Sequence, residues 1–579
     1  MRHALLARRE APLTSVAPPA PAPPLEVDPR RWIALGVVLM ASFMVLLDIS
    51  IVNVAIPSIQ RDLNASYAQI QWVLAGYQLA YAVILITGGR LGDIYGRKRL
   101  FMIGVFGFTS ASALCGFAPT ATWLVIARIL QGVLAALMYP QVLSVIQISF
   151  PPRERGAAFG TFGGVIGVAT ISGPLLGGIL IKANLFGLDW RPIFLVNVPI
   201  GIAALVAATL LLRESRAPSA PRLDLPGVTL VTAALFLLTY PLVQGREAGW
   251  PWWTFAFLAG AAILLVCFAL YEVRRAKSVG SPLVQPLLFN DRAFVTGLLV
   301  TLLFLAGVPA FFLTFSIYLQ IGLGFSALDA GLTTIPFAFA SALASAASIR
   351  LAPRFGKRLL AAGSLFLAVG MIAIYATIEA AGIDLHGYEL IPALALSGVG
   401  LGCVVAPLIT IILAGIHHGD AGSASGVLTT VQQVGGAVGV ALIGIVFFGL
   451  ISTHADDVSH SVSQSQLRPQ LAALHLPEAA ISNITNGFTQ CFHDRSTSAD
   501  PTATPPSCPQ SAPPQCNPLP DGPSTVPCIA LSTANSARAL DLSYAFQRSL
   551  FYELGIFVAS FLLILLLPGR APPRAHAPA

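Results

Sequence analysis

Apolar residues in this chain come in long, nearly unbroken runs, without the two-residue alternation of a half-buried strand or the one-sided stripe of a surface helix. A run of about 18 apolar residues or more is long enough to cross about 30 Å of hydrocarbon as a helix. Fourteen runs of this kind fall at 32–56, 70–88, 100–117, 123–148, 156–181, 192–212, 227–243, 253–271, 294–319, 330–349, 359–378, 391–416, 422–451 and 550–567. The pattern predicts an all-α polytopic membrane protein of fourteen spans.

Composition agrees with that reading. Hydrophobic residues make up 55% of the 579 positions and charged residues only 10%, with a mean hydropathy of +0.77. A soluble globular chain carries about 25% charge. The net charge of +7 raises the question of nucleic acid, and its distribution excludes that partner. With the N-terminus inside, the inner segments hold about 24 of the 33 Lys and Arg. Arg153 and Arg155, Arg213, Arg216 and Arg222, Arg274, Arg275 and Lys277, and Arg350 to Arg358 cluster there, while the loops near Thr120, Gly322 and Asp384 carry none. This is the positive-inside asymmetry, which places both termini in the cytoplasm of a cell (inner) membrane. A missed span would invert half the loops and destroy it.

The organisation that follows is a Pro- and Ala-rich cytoplasmic tail (1–30), a six-helix bundle (31–212) and two additional helices (213–272). A cytoplasmic loop (273–293), five helices of a second bundle (294–451), an extracytoplasmic Pro/Ser/Cys loop (452–547), a last span (548–567) and a short cytoplasmic tail (568–579) complete it. The first tail lacks a short apolar core followed by a small-residue cleavage site, so it reads as a disordered tail and not a signal peptide. The centre of the 452–547 segment, rich in Pro and Ser, is not expected to pack a core of its own. It carries Cys491, Cys508, Cys516 and Cys528. In an oxidising compartment four cysteines suggest two disulfides, with three connectivities open.

Charge also appears where apolar runs meet. "GGRLGDIYGRKRL", ending at Leu100, packs five charged residues between the second and third spans. "IRLAPRFGKRLL" at 349–360 repeats its outline: Gly96 aligns with Gly356, Arg97 with Lys357 and Lys98 with Arg358, while Pro353 stands opposite Asp93. A repeat at this separation implies two similar six-helix bundles with two extra central helices between them. Parallel repeats of six spans are the architecture of the major facilitator superfamily.

The motifs carry that resemblance further. Gly89-x-Leu91-x-Asp93-x-x-Gly96-Arg97-Lys98 resembles the superfamily's signature loop, and Arg128-x-x-Gln131-Gly132-x-x-Ala135-Ala136 its second motif. Gly160-x8-Ala169-x3-Gly173-Pro174-x2-Gly177-Gly178 resembles the antiporter motif, with Ala169 where Gly is usual. "LLDISIVNVAIPSIQRDL" ending at Leu63, "WRPIFLVNVPIG" from Trp190 and "GVLTTVQQVGGAVGVAL" from Gly426 are similar to the fourteen-span drug:proton antiporters of the EmrB/QacA type. The resemblance implies that Gly89, Asp93, Gly96 and Arg97 latch the two halves, and that the kink at Gly173, Pro174, Gly177 and Gly178 seals the cavity against leak. It also implies that Tyr77, Gln78, Gln131 and Gln141 lie on cavity-lining spans as substrate-side candidates.

Two charges lie inside spans, Asp48 and Arg128. An ionisable residue there costs at least about 2.5–3.5 kcal/mol on insertion scales, which makes each a functional candidate. Counted from the outer ends of their spans at 1.5 Å per residue, Asp48 lies about 12 Å deep and Arg128 about 8 Å, so the two can meet. Arg128 does not release its proton, which makes Asp48 the candidate carrier; a static pair that fixes packing is the competing reading. Glu553 and Asp329, near the outer ends of their spans, read as interfacial. No phosphate-binding glycine loop and no zinc-spaced Cys/His cluster occurs in the sequence, and His417–His418 reads as solvated. The expectation is therefore a monomeric proton-driven exporter of hydrophobic or amphipathic drugs, embedded in lipid, with no cofactor, no metal and no catalytic residue. A nutrient uniporter or symporter is the first alternative, and a receptor that uses the Cys loop is the second.

Overall fold

The structure is a computed structural model of the chain and describes residues 29–65, 67–216, 224–245, 248–278, 282–414, 416, 420–497, 505–509 and 525–567. The described residues form helices and connecting turns, with no strand among them. In chain order the helices are α1 (Arg31–Leu63), α2 (Tyr67–Tyr95), α3 (Arg97–Gly116), α4 (Ala121–Ser149), α5 (Pro152–Ala183), α6 (Pro192–Leu195), α7 (Asn197–Leu211), α8 (Leu225–Gln244) and α9 (Trp252–Ser278). There follow α10 (Arg292–Ile317), α11 (Ala327–Phe355), α12 (Lys357–Ala381), α13 (Ile391–Leu413), α14 (Ala421–Val462), α15 (Arg468–Ala473), α16 (Glu478–Thr497) and α17 (Val526–Leu566). Thirteen described stretches are long and apolar enough to cross a membrane, with α6 and α7 forming one of them. The 32-residue α5 brings the spans to fourteen. Hydrocarbon offers the backbone no partner, so each span must close its hydrogen bonds within itself, and helices do so.

Packing displays the repeat. In the first half α1 packs on α5 and α7, α2 on α4, and α3 on α4 and α7; in the second α10 packs on α14 and α17, α11 on α13, and α12 on α13 and α17. Each six-helix bundle thus has the same internal neighbours. The α8–α9 hairpin lies between them in sequence, with α8 against α2 and α14. The bundles meet along α5–α11 and α2–α14. Their bonded contacts gather at the end that carries Asp93: Ser144 Oγ lies 2.8 Å from Ser425 Oγ, Gln147 donates to the Leu413 carbonyl at 2.6 Å and Ser345 to the Gly160 carbonyl at 3.0 Å.

The segment 452–547, read from sequence as a loop, is largely helical where described. At 42 residues, α14 is about 63 Å long, twice the hydrocarbon thickness. Its projecting end packs with α16 and the start of α17 around Ala455, Val458, Val462, Phe492 and Ala537. A second small core joins Leu467, Leu471, Ile481 and Ile529. These apolar positions are spaced along otherwise polar helices, so they give no membrane signal yet still bury one another. Cys491 and Cys508 form a disulfide that ties α16 to the following segment. Cys528 is also disulfide-bonded, and Cys516 lies outside the described residues, as do His417 and His418.

Candidate functional site: a buried carboxylate–guanidinium centre

Asp48 sits in the middle of α1 and is fully buried. Arg128, about two turns into α4, reaches it: Nη1 donates to Asp48 Oδ2 at 2.5 Å. The other carboxylate oxygen accepts from Gln131 Nε2 at 3.0 Å and from Asn197 Nδ2 at 3.2 Å. Gln131 also donates to Ser112 Oγ at 2.6 Å. Five helices therefore converge on one carboxylate: α1 supplies the acid, α4 the cation and an amide, α7 a second amide, α3 a hydroxyl, and α2 the roof. That roof is Tyr77, whose ring lies 4.3 Å from the guanidinium carbon. Burying an ion pair is costly unless its remaining valences are met, and here they are. Beyond Asp48, Arg128 donates to the Gln131 side-chain carbonyl at 2.7 Å and to the Val73 backbone carbonyl at 3.0 Å. The guanidinium keeps two acceptors and an aromatic face whether or not Asp48 is ionised.

Helix packing holds this geometry. A Cβ on Gly132 would lie 2.3 Å from the Tyr77 carbonyl oxygen, so glycine there lets α4 close on α2. A Cβ on Gly173 would lie 1.9 Å from Ser50 Oγ, and one on Gly177 3.0 Å from Ile51. The two glycines thus seat α5 on α1 within a turn of Asp48. Gly178 faces open space. Through the Gly173–Pro174 step α5 continues as one helix to Ala183. The Trp190 motif contributes at two levels: Asn197 enters the centre, while Trp190 Nε1 and Arg191 Nη1 donate to Asp62 at 3.0 and 2.7 Å, stapling the end of α1. The Trp190 bond, followed by the Arg191 bond and charge, holds the Asp62 carboxyl below its ordinary range.

At the closed end Asp93 is fully buried. It accepts from Arg97 Nη2 at 2.5 Å, and the Ser423 backbone N–H in the first turn of α14 lies near enough to favour its charge, as a helix N-terminus favours an anion. One carboxylate thus faces both bundles. Gly89 is buried within α2. Gly96 has φ +108°, a left-handed backbone that glycine alone adopts without strain, and a Cβ there would also meet Glu214 at 2.5 Å. Gly356, its counterpart, also has positive φ, at +53°. Each bundle then uses a lysine near the start of its third helix to cap the sixth: Lys98 Nζ binds the Thr209 carbonyl and Lys357 Nζ those of Leu565 and Leu567.

The four substrate-side candidates separate. Gln78 is exposed. Tyr77 and Gln131 are buried in the Asp48 centre, and Gln141 is buried with its amide on the Gly88 carbonyl at 2.8 Å. In this conformation none of those three presents its side chain to open space. Their burial reflects the rotational phase of α2 and α4, which uniformly apolar spans do not reveal. Ser112 was missed by sequence reasoning, and Asn197 stood there only as one position of the motif that starts at Trp190. The available signal was the spacing of Thr109, Ser112 and Cys115 along one face of α3. Asp329 lies in the first turn of α11, bonded to Ser326. Glu553 departs from its interfacial reading: it is 1% exposed, because α17 begins 27 positions earlier, at Val526. Among the described residues no group of three or more His, Cys, Asp or Glu is placed to hold a metal.

Two repeated six-helix bundles of membrane-spanning helices, joined at one end and enclosing a buried ion pair, define a two-bundle membrane transporter. Residues 38–440 match the model of the Major Facilitator Superfamily, and the chain belongs to that superfamily. It is similar to the probable actinorhodin transporter of Streptomyces coelicolor, 41% identical over 545 residues that cover 93% of this chain and 92% of that one. The puromycin resistance protein pur8 of Streptomyces alboniger is 37% identical over 466 residues, 80% and 88% of the two chains. The human organic anion transporter MFSD10 (TETRAN) superposes with a TM-score of 0.54 at 16% identity, over 72% of this chain and 94% of that one; it shares the fold.

Proposed function

We propose that the protein is a proton-coupled exporter of hydrophobic or amphipathic antibiotics, working by alternating access as a monomer in the cell membrane with both termini in the cytoplasm. The observation that carries this reading is the Asp48 centre, a buried carboxylate whose arginine partner already holds alternative acceptors at Gln131 and Val73. Protonation of Asp48 removes its negative charge and releases Nη1, while the guanidinium stays satisfied on the other two oxygens and the Tyr77 face. The hydrogen bonds from Gln131 and Asn197 then rearrange, and five helices feel the change. Opening the first bundle to one side or the other decides where that proton comes from. Asp93 on the α14 N-terminus would hold the cytoplasmic end shut in the conformation described here. Export of antibiotics is supported by similarity to proteins named for actinorhodin transport and puromycin resistance. The driving force is the proton gradient, with no bound cofactor.

A drug-hypersensitive bacterial host expressing the chain tests the reading, with intracellular accumulation followed for a panel that includes actinorhodin, puromycin and ethidium. At least one compound should be held at a lower level than in cells with empty vector, and a protonophore or Asp48→Asn should abolish the difference. Lowered accumulation that survives both treatments would rule out proton coupling through Asp48.

A further inference from the structure

The second bundle contains a carboxyl group in the opposite situation to Asp48. Glu553 of α17 is 1% exposed, and neither carboxyl oxygen has a hydrogen-bond partner among the described residues. Its surroundings are apolar: Phe304 of α10 packs on Phe557 of α17 with centroids 5.9 Å apart. Gly307 of α10 makes the recess, since a Cβ there would stand 2.9 Å from Glu553 Oε2 and 3.1 Å from the Phe557 ring. Of the charged groups on the helices around it, Lys357 is engaged by the Leu565 and Leu567 carbonyls and His454 by Asp541. Arg548 and Glu379 are exposed, and α10 brings only Arg292, at its first position. Tyr552, its sequence neighbour, is half-buried, and its hydroxyl also lacks a hydrogen-bond partner among the described residues. An ionised carboxylate is not sustained in such a place, because neither charge partner nor donor offsets its lost hydration. The group is therefore a neutral acid in this conformation.

Its position within the repeat makes it more than a packing oddity. In each bundle the first helix packs on the sixth: α1 on α7, and α10 on α17. The first pair brings Asn197 to Asp48, and the second sets Glu553 against Gly307. At 1.5 Å per residue Asp48 lies about 26 Å from the Arg31 end of α1 and Glu553 about 20 Å from the Leu566 end of α17, within about one helical turn of the same level. Ser549 and Ser560 share the buried face of α17 with Glu553, and Ser560 Oγ also lacks a partner.

We infer that Glu553 is a second proton-carrying site, located in the second bundle and loaded in the conformation closed at the Asp93 end. This rests on the proton-coupled reading of the protein. When the second bundle moves and water reaches the α10–α17 seam, the Glu553 O–H bond breaks, the proton passes to water, and the carboxylate remains until the site closes again. The cycle then moves protons at two carboxyl groups, one balanced by Arg128 and one with no counter-charge.

Infrared spectroscopy of the full chain in liposomes, titrated from about pH 5 to about pH 10, reads this directly through the C=O band of a protonated carboxyl in apolar surroundings. Wild type should show the band at neutral pH and lose it as pH rises, in step with slower disulfide cross-linking of a Ser144→Cys/Ser425→Cys reporter pair across the closed end, each rate taken relative to the same pair in Glu553→Gln at the same pH because thiolate formation alone speeds the reaction. Glu553→Gln should lack the band, and Asp48→Asn should keep it. If Glu553→Gln does not fold, Glu553→Asp should retain a displaced band. A band that survives Glu553→Gln, or one that persists over the whole range with unchanged cross-linking, overturns the inference. Failure of the Asp48 reading shows separately, as proton movement that persists in Asp48→Asn.

Discussion

Replacing Asp48 by Asn and Arg128 by Met, singly and together, separates the pair from its surroundings. Asp48→Asn leaves a guanidinium, 1% exposed, on Gln131 Oε1 and Val73 O without its counter-charge. Breaking a buried pair from one side costs about 3–5 kcal/mol. A guanidinium cannot shed its proton, so this variant belongs at the upper end of that range. Arg128→Met leaves a carboxyl with amide donors at 3.0 and 3.2 Å that a proton can neutralise, and belongs at the lower end. The double variant removes both charges and leaves one or two amide donors short of an acceptor, at about 1 kcal/mol each. The singles thus sum to about 8 kcal/mol and the double costs about 2, a coupling far beyond the ~0.5 kcal/mol within which independent sites add. Unfolding in mixed micelles on titration with dodecyl sulfate, followed by circular dichroism, supplies the four stabilities. A double variant that costs as much as the two singles together refutes the account of the centre.

Three further outcomes follow from named contacts. Gly173→Ala forces a Cβ to 1.9 Å from Ser50 Oγ and should destabilise by about 1–3 kcal/mol; Ser50→Ala should restore part of that in the same unfolding assay, and part only, because Ile51 N remains at 2.9 Å. Asp93→Asn removes the Arg97 ion pair and the negative charge at the α14 N-terminus, so the Ser144→Cys/Ser425→Cys pair, whose native oxygens are 2.8 Å apart, should cross-link severalfold more slowly. Asp62 has its carboxyl held below the ordinary range by Trp190 and Arg191. A depressed folded-state value contributes stability above the unfolded value of about 3.9 and loses it as pH falls through the folded value. The Trp190 emission, taken as the difference from Trp190→Phe, should be flat from neutrality to about pH 4 and change below it.

The spans were legible because hydrocarbon demands length and apolarity, both of which a sequence displays. The meeting of Asp48 with Arg128 was legible too, since depth along a helix is residue count times rise. Rotational phase was not. Gln141 and Gln78 sit on the same kind of apolar span, yet one is pinned between helices and the other exposed. Glu553 looked interfacial because the apolar run begins near position 550, whereas α17 starts at Val526 and carries the residue deep into the second bundle. The helical extension beyond α14 was hidden for a related reason: its small cores are built from single apolar residues in polar helices.

Proton movement in sealed vesicles tests the central claim most directly. Wild type and Asp48→Asn are reconstituted with an imposed proton gradient and an entrapped pH dye, and a compound lowered in the cell assay is added. Proton flux triggered by that compound in wild type and absent in Asp48→Asn is the predicted result. Equal flux in the two proteins would contradict it and leave the Asp48–Arg128 centre a structural pair.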